Sequence, residues 1–250
     1  MHSSFALTVL SLALQAAAGG LDDWHFGNMF SVGPTTGDVY IAKATWSLIP
    51  PNVPCGTVTQ DTNDDPWMSI WIGVAQSLTD DGTDLFQPLL NWSPDQEAQA
   101  CSASVSEWCV AASTYTPAGQ IQQEYQVVPS KARLDFEIDV DSSKNVSQKV
   151  WLSGKLVSQQ SDTDGIAPKC LYSGNECYKG TCGTLASYAW SNLTIVLNAA
   201  DKSFGDSLIL TNATSSGLTT SDAGKTWHID SVDIEKDLFY YDVSESDCSP

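Results

Sequence analysis

Short stretches of this chain alternate hydrophobic and polar residues, and no stretch keeps the period of an amphipathic helix. Asp38 to Leu48 alternates well before two prolines stop it, whereas Trp67 to Ala75 is apolar on both faces, as is typical of a central strand. Pro88 interrupts the apolar segment Leu85 to Trp92 and predicts a bulge or break there. The pattern predicts an all-β protein, with Asn, Gly, Asp and Ser in the turns.

The remaining stretches of this kind complete the predicted set of strands. They are Trp108 to Tyr115, Ile121 to Val128, Ala132 to Val140, Lys149 to Val157, Ser187 to Leu197, Ser207 to Asn212 and Trp227 to Ile234. We expect Gly19 to Pro34 to be irregular, and the Gly-rich segment from Cys170 to Cys182 to be a loop. Strands at this spacing favour an antiparallel two-sheet β-sandwich of the jelly-roll kind, formed by one domain over residues 19–250.

The N-terminus has the features of an export signal. Phe5 to Leu14 is an apolar run too short to span a bilayer, and Ala16 and Ala18 follow it as small residues before a cleavage site. We therefore predict a signal peptide over residues 1–18 and a secreted, extracellular protein; the alternative is a buried N-terminal helix. Four N-glycosylation sequons agree with export, and they begin at Asn91, Asn145, Asn192 and Asn212.

Seven cysteines indicate disulfides in an oxidising compartment. The predicted bridges are Cys101–Cys109 and one within the group Cys170, Cys177 and Cys182. The C-terminal cysteine is expected to hold the polar tail. Because seven is odd, at least one cysteine is free or pairs between chains.

The net charge of the chain limits the kinds of partner that it can bind. It has 30 Asp and Glu against 11 Lys and Arg, a net charge of -19. Such a potential repels nucleic acid and anionic membrane, so we expect neither as a partner, and we expect a monomer. Acid should be tolerated better than alkali, because protonation relieves the repulsion among carboxylates.

Familiar catalytic signatures are missing from the sequence. It has no HExxH, GxSxG or phosphate-loop motif, and His25 and His228 are the only histidines after the predicted signal peptide. Acidic clusters occur at Asp61 to Asp65 and at Asp80 to Asp84, and the second lacks the full spacing and the terminal Glu of a calcium-binding EF-hand loop, which favours solvated turns over a calcium site. We predict no metal and no cofactor.

The segment Trp67 to Trp92 carries a resemblance to a known family. Trp71-Ile-Gly-Val74 followed by Leu85 to Trp92 resembles the glutamic peptidases, or eqolisins, in which a similar strand precedes a Leu-Gln-Thr-Gly segment. Phe204 to Gly217 resembles a later strand of that family. The resemblance implies a secreted fungal acid peptidase with a concanavalin A-like β-sandwich, and it places Gln87 on the glutamine that orients the attacking water. The same segment is also similar to secreted fungal concanavalin A-like lectin/glucanase proteins.

The chain departs from that family at the second catalytic residue. The family's general base is a glutamate, and the segment matched to its strand, Ala186 to Leu197, contains neither Asp nor Glu. Pro88 and Leu89 replace the Thr-Gly after the family's glutamine. A carboxylate is needed to take a proton from water at acid pH, so we do not expect proteolysis by this mechanism. Gln87 then either contacts a ligand or is an ordinary residue of the sheet.

Five acidic residues remain candidates for a partner of Gln87: Glu107, Glu124, Asp135, Glu137 and Asp139. The last three share one face of a strand, which either meets solvent or offers acid/base pairs for glycoside chemistry. Most of the nine tryptophans are expected in the core. We predict Gln87 as the catalytic residue and Trp71, Trp92 and Glu137 as binding residues. Trp92 shares the side of Gln87 only if a bulge at Pro88 shifts the alternation.

Three functions are compatible with these residues. The first is a secreted protein that binds or acts on an extracellular polymer, with polysaccharide favoured over protein. The second is an acid glutamic endopeptidase that uses Gln87, and the third is a non-catalytic interaction protein. A β-sandwich alone cannot choose among them.

Overall fold

The computed structural model describes residues 24–57, 66–78, 82–240 and 248. The predicted signal peptide, the acidic cluster at 61–65 and residues 80 and 81 of the second cluster lie outside these residues. Within the described ranges, no helix is both long and apolar enough to cross a bilayer.

The described residues form twenty strands and one short 3-10 helix at Phe204–Ser207. In chain order the strands are β1 (Trp24–Phe26), β2 (Met29–Val32), β3 (Ile41–Leu48), β4 (Trp67–Ala75), β5 (Leu85–Phe86), β6 (Leu89–Trp92), β7 (Trp108–Ala111), β8 (Ser113–Thr116), β9 (Gly119–Gln122), β10 (Gln126–Val128), β11 (Leu134–Val140), β12 (Val146–Leu152), β13 (Lys155–Asp162), β14 (Cys170–Tyr178), β15 (Gly183–Leu185), β16 (Tyr188–Leu197), β17 (Ile209–Thr211), β18 (Ala213–Ser215), β19 (Thr226–Ile234) and β20 (Asp237–Phe239).

These strands build an antiparallel two-sheet β-sandwich, as predicted. The larger sheet has eleven strands with the central order β10-β7-β6-β4-β14-β2-β17, and β1 lies beside β14 while β5, β8 and β9 continue from β4. The smaller sheet has the order β13-β12-β11-β3-β16-β19-β18. A separate pair joins β15 to β20. One hydrophobic cluster contains residues of both large sheets and forms the core between them.

The smaller sheet shows a clear two-residue period. In β11, the residues from Leu134 to Val140 alternate between buried and partly exposed, because one face packs on the core and the other meets solvent. The rings of Trp46 and Phe136 stack in the core with centroids 5.6 Å apart, and Trp190 meets Phe136 edge-on at 6.2 Å. With Trp92, Trp108 and Trp227, which are also buried in the core, these two tryptophans make up five of the nine in the chain.

The two central strands of the larger sheet are buried on both faces. In β4 every residue after Trp67 is buried, and in β14 every residue from Cys170 to Asn175 is buried. A second hydrophobic cluster, separate from the core, accounts for the outward face; it includes Trp71, Leu89 and Tyr172. The larger sheet therefore buries side chains on its outer face as well as towards the core.

Five predictions about strands were wrong. Two predicted strands are divided: Trp108 to Tyr115 between β7 and β8, and Ile121 to Val128 between the end of β9 and β10. The segment from Cys170 to Cys182, expected as a loop, contributes β14 to the centre of the larger sheet. The segment Gly19 to Pro34, expected to be irregular, contributes β1 and β2. Lys149 to Val157 is not one strand, because a turn at Ser153 and Gly154, both with positive φ, separates β12 from β13.

Three disulfides join six of the cysteines. Cys101–Cys109 and Cys177–Cys182 are the two predicted short bridges, and a Cys55–Cys248 bridge holds the C-terminal cysteine to the domain. Cys170, predicted as a bridging candidate, is instead a buried free thiol. It lies at the opposite end of β14 from Cys177, too far along the strand to join that bridge. Burial raises the pKa of the Cys170 thiol to about 12, so it is neutral at physiological pH.

Candidate functional site

We call the face of the larger sheet that points away from the core the site face. Because side chains alternate along a strand, Ile70 and Ile72 of β4 enter the core, while Ser69 and Trp71 point to the site face. Strand pairing sets three neighbouring rows across β14, β4 and the chain that contains β6. They are Glu176–Ser69–Asn91, Gly174–Trp71–Leu89 and Tyr172–Gly73–Gln87.

Trp71 is the central side chain of this face. Its ring lies directly over Gly174, where an added Cβ would be 2.9 Å from Trp71 Cζ2. The ring also meets Tyr172 edge-on, with centroids 5.4 Å apart. A larger residue at position 174 would displace the indole, so the absence of a side chain there makes room for the ring. Trp71, predicted as a binding residue, thus lies on the site face.

Gln87 lies beside Gly73 on the same face. A Cβ at Gly73 would come within 2.9 Å of Gln87 Cβ, and the Gln87 backbone N–H donates to the carbonyl oxygen of Ser113 at 2.9 Å. The Gln87 side chain is buried. On the other side of β4, the residue paired with Gly73 is Tyr172. Gln87 therefore faces an aromatic residue across the sheet.

Glu176 supplies a carboxyl group to the site face. Among the described strand residues whose side chains point to this face, it is the only Asp or Glu. The residue is half-buried, and the surrounding protein atoms raise the pKa of its carboxyl to about 8. The indole N–H of Trp71 lies close enough to lower that pKa slightly, without the geometry of a full hydrogen bond. At neutral pH the protonated, uncharged carboxyl is therefore favoured.

A chain of hydrogen bonds lies next to Glu176. Ser69 Oγ donates to Asn91 Oδ1 at 2.5 Å, and Asn91 Nδ2 donates to the hydroxyl oxygen of Tyr125. Burial raises the pKa of the Tyr125 hydroxyl far above its usual value, so it stays protonated. Tyr125 is itself only half-buried and packs over the apolar centre together with Phe26. These two aromatic residues form part of the rim above Trp71.

Three polar atoms of the site face have no hydrogen-bond partner among the described residues. They are Ser31 Oγ, Trp71 Nε1 and Gln87 Oε1, and each is buried. Ser31 pairs with Tyr172 in the sheet, so it extends the row that contains Gln87. Leaving a buried polar group unpaired costs about 1–3 kcal/mol, and native proteins do so rarely. Seven similar atoms lie elsewhere among the described residues, on Trp46, Gln99, Gln148, Asn175, Tyr188 and Trp190, whereas these three belong to a single outer face.

Trp92 does not belong to the site face. It is 4% exposed in the core, and its indole N–H donates to the carbonyl oxygen of Val105 at 2.8 Å. The break at Pro88 does not shift the alternation: Gln87 and Leu89 both point outwards, so Trp92 points inwards. The prediction that Trp92 binds a ligand is therefore corrected.

Glu137 lies on the outer face of the other sheet. Its carboxylate accepts from Lys43 Nζ at 2.5 Å and from Lys149 Nζ at 3.0 Å. Burial alone would raise the pKa of Glu137, but the two lysines hold it below its usual value. A carboxylate paired in this way on β11 cannot act together with Gln87. The prediction that Glu137 is a binding residue of the same site is therefore corrected.

The segment compared with the family's glutamate-bearing strand also lies in the smaller sheet. Ala186 to Leu197 contains β16, which pairs with β3 and β19 and does not face Gln87. The sequence pattern does not predict Glu176 as a site residue, because it predicts a loop where the structure has β14. Glu176 pairs with Ser69, four residues along β4 from Gly73, which is about 13 Å from the row of Gln87. The only local signal for it was the alternation of Cys170, Tyr172 and Gly174 before it.

The predicted glycosylation sites have different surroundings. Asn91 is 5% exposed and its amide is bound within the hydrogen-bond chain of the site face. Asn145 is half-buried and donates to Asp141 Oδ2 at 2.9 Å. Asn192 and Asn212 are exposed, and both have positive φ. An oligosaccharide cannot be attached to the folded protein at Asn91, so that prediction does not fit the structure.

No metal centre is formed by the part of the chain that the structure describes, since no three His, Cys, Asp or Glu side chains are grouped to hold an ion. The polar groups of the site face are carboxyl, amide, hydroxyl and indole. Such groups can bind an uncharged ligand rich in hydroxyls, because the set contains both donors and acceptors.

No family model matches the chain, and no curated protein matches it. Solved structures that are similar include scytalido-glutamic peptidase with a peptide-based transition state analog, at a TM-score of 0.48 and 9% identity, covering 83% of this chain and 97% of that one. A glycoside hydrolase family 16 endo-glucanase from Bacteroides ovatus has a TM-score of 0.35 at 10% identity, covering 66% and 85%. A galectin from Caenorhabditis elegans has a TM-score of 0.28 at 11% identity, covering 64% and 98%. The similar structures thus include eqolisin peptidases and concanavalin A-like glucanases and galectins, as the sequence resemblance implied, and they assign no activity to this chain.

Proposed function

We propose that this protein is secreted and binds a neutral polysaccharide on its site face. The observation that carries the proposal is the set of buried, unpartnered polar atoms on that face, Ser31 Oγ, Trp71 Nε1 and Gln87 Oε1. A ligand that supplies hydroxyl groups to these atoms recovers hydrogen bonds that the protein alone leaves unmade. The aromatic residues around them give apolar contact with the ring faces of a sugar.

The charge of the site supports a neutral ligand. Glu176 is the ionisable group at the accessible edge of this face, and its raised pKa favours the uncharged carboxyl at neutral pH. The whole protein carries a net charge of -19, which opposes the approach of an acidic polymer. A protonated Glu176 can donate one hydrogen bond and accept others, so it suits the hydroxyl groups of an uncharged sugar.

Access to the centre of the site depends on the rim. Glu176 is half-buried, whereas Gln87 and Trp71 are buried. Tyr125 packs against the hydrophobic cluster that contains Trp71, and its hydroxyl accepts a hydrogen bond from Asn91. We infer that a ligand contacts Glu176 first and reaches the deeper polar atoms when Tyr125 turns aside.

The alternative function is acid glutamic proteolysis. It is favoured by one observation, the free Oε1 of Gln87 on a face that also carries a carboxyl group. A general base must lie within about 3 Å of the proton that it removes, directly or through one water, and Glu176 lies about 13 Å along the sheet from the row of Gln87. Binding without catalysis therefore agrees better with the geometry.

The proposal is tested by measuring binding and cleavage with the same purified protein. Soluble neutral and acidic polysaccharides are titrated from acid to neutral pH, and an unfolded protein is offered at acid pH with pepstatin present. We expect binding of a neutral polysaccharide that weakens at least tenfold in Gln87→Ala, and no cleavage. Cleavage that is lost in Gln87→Ala would instead establish the peptidase. Failure to bind any polysaccharide, without cleavage, would favour the non-catalytic interaction protein.

Secretion is the second part of the proposal, and the three disulfides fit an oxidising compartment. Expression of the full chain in a eukaryotic host should give a protein that begins near residue 19 and runs faster on a gel after N-glycosidase treatment. An unprocessed N-terminus, with no change in mobility, would contradict secretion while leaving the binding proposal open to its own test.

A further inference from the structure

A row of three aromatic residues lies at the end of the site face. Trp24 of β1 pairs with Tyr178 of β14, and Tyr178 pairs with Trp67 of β4. Their rings are in contact, with centroids 4.6 Å apart for Trp24 and Tyr178 and 5.8 Å apart for Trp67 and Tyr178. We call these residues the aromatic row. Each of the three is half-buried, whereas Trp71 is fully buried.

The aromatic row points in the same direction as the rest of the site. Tyr178 and Glu176 are two residues apart in β14, and Trp67, Ser69 and Trp71 are two residues apart in β4, so all of them lie on one face. Along β4 the site face therefore presents an aromatic residue, a hydroxyl, an aromatic residue and then Gly73. The distance from Trp67 to Gly73 is about 20 Å along the strand.

We propose that the aromatic row is a second sugar-binding position, and that the site face binds a chain of several neutral sugars lying along β4 and β14. This inference rests on the proposed function and specifies the length and direction of its ligand. One sugar ring would stack on the aromatic row while the next places its hydroxyl groups against Glu176 and Ser69.

The composition of the row favours sugar over other occupants. Indole and phenol rings offer flat apolar surface with a polar edge, and both lose little conformational entropy when they bind. All three rings are partly exposed, and Lys179 Nζ lies 5.2 Å from the centroid of the Tyr178 ring, so Trp24 and Trp67 offer the more open ring surface. Glu176 lies two residues from Tyr178 on the same face, so groups that can stack on a sugar ring and groups that can bind its hydroxyls are neighbours.

The inference is tested with the hexasaccharide and the disaccharide of a neutral β-glucan, titrated calorimetrically into the whole protein. In Trp24→Ala we expect the affinity for the hexasaccharide to fall about tenfold, as expected for one lost stacking contact, while the affinity for the disaccharide stays unchanged. Trp24→Tyr should restore most of the affinity. The matched control is Trp151→Ala, which removes a half-buried tryptophan from the outer face of the smaller sheet and should change neither affinity.

The possible results separate this inference from the proposed function. If wild type binds both saccharides and Trp24→Ala binds both as well as wild type does, the second position does not exist and the proposed function survives. If wild type binds neither saccharide, both proposals fail for this glycan class. An equal loss for both saccharides in Trp24→Ala, with an unchanged thermal midpoint, would also overturn the inference, because it would place Trp24 in the first position. A variant with a lowered midpoint is replaced in the comparison by Tyr178→Phe against Tyr178→Ala.

Discussion

On the smaller sheet, the outward-facing Glu137 is held between two lysines, whereas on the larger sheet the outward-facing Glu176 has the indole of Trp71 beside it. The first carboxyl has a lowered pKa and the second a pKa raised to about 8. Both lie in antiparallel strands, and neither is fully buried. The two lysines favour the charged form of Glu137, whereas desolvation favours the uncharged form of Glu176.

The tryptophans of the two outer faces also differ, in their burial and in their partners. Trp151, on β12, is half-buried and pairs with Asp135 across the sheet. Trp71 is buried over Gly174 and carries an indole N–H without a full partner. The outer face of the smaller sheet pairs its charged groups with one another, as Lys43 and Lys149 do with Glu137, whereas the site face carries three buried polar atoms without a partner among the described residues. Unpaired buried atoms also occur elsewhere in the described residues, so it is their grouping on one outer face that distinguishes this surface.

The largest expected difference between the two outer faces is in the free energy of unfolding that is lost when an outward-facing tryptophan is removed. Trp71→Ala should lower the free energy of unfolding by about 3–5 kcal/mol, because it removes a buried ring from a packed position. Trp151→Ala should lower it by less than about 1 kcal/mol, because much of that ring stays in water. Denaturant unfolding of both variants measures the difference. Equal losses would show that the two outer faces are packed alike.

The second effect is on the pH dependence of stability. The raised pKa of Glu176 means that the folded state holds its proton more tightly, so the stability that it contributes is complete below about pH 4 and is lost as the pH rises to about 8. Glu176→Gln should remove this loss. Above pH 8 the free energy of unfolding of the variant should exceed that of wild type by about 3 kcal/mol, because each unit of pKa shift corresponds to about 1.4 kcal/mol and the total is reduced for partial exposure. Unfolding midpoints across pH provide the measurement.

Glu137→Gln is the matched control and should act in the opposite direction. Its lowered pKa means that its contribution is present above its ordinary pKa and is lost as the pH falls. The variant should be less stable than wild type by about 1 kcal/mol at neutral pH and should match it in acid. If Glu176→Gln were instead the variant that loses stability at neutral pH, the carboxyl on the site face would be ionised and paired.

A smaller effect concerns the attachment of glycans to the two faces. In a eukaryotic host, peptide mass spectrometry should find Asn91 unmodified, because its amide is buried and bound to Tyr125. Asn192 should be occupied, because it is exposed on the outer side of β16. Occupancy at Asn91 in the folded, secreted protein would mean that the hydrogen-bond chain beside Glu176 does not form.

The sequence predicted a strand well wherever a single pattern of apolar and polar residues continued along its whole length. β4 was predicted with its observed bounds, since a long apolar run leaves few alternatives, and β11 was predicted within two residues from its alternation. β14 was missed because Gly174 and Asn175 resemble turn residues. Their burial depends on the indole that covers the glycine and on neighbouring strands, neither of which is visible in a local pattern.

The residues of the site face were harder to predict, because a local pattern does not show which strands become neighbours. Gln87 and Trp71 were predicted and both lie on the site face, but Glu137 was assigned to it because a two-residue period does not tell which of two sheets a strand joins. Glu176 was overlooked together with the strand that carries it. Its unusual pKa depends on a sheet whose register pairs Glu176 with Ser69 across β4 and β14, which are about a hundred residues apart in the chain.

The central claim is that the site face, and not the outer face of the smaller sheet, binds the ligand. It is tested most directly by recording the indole N–H resonances of the assigned tryptophans by NMR while the neutral β-glucan hexasaccharide is added. We expect progressive shifts for Trp71, Trp67 and Trp24 and an unchanged resonance for Trp151. Shifts confined to Trp151, or saturable binding that leaves the three site-face resonances in place, would contradict it.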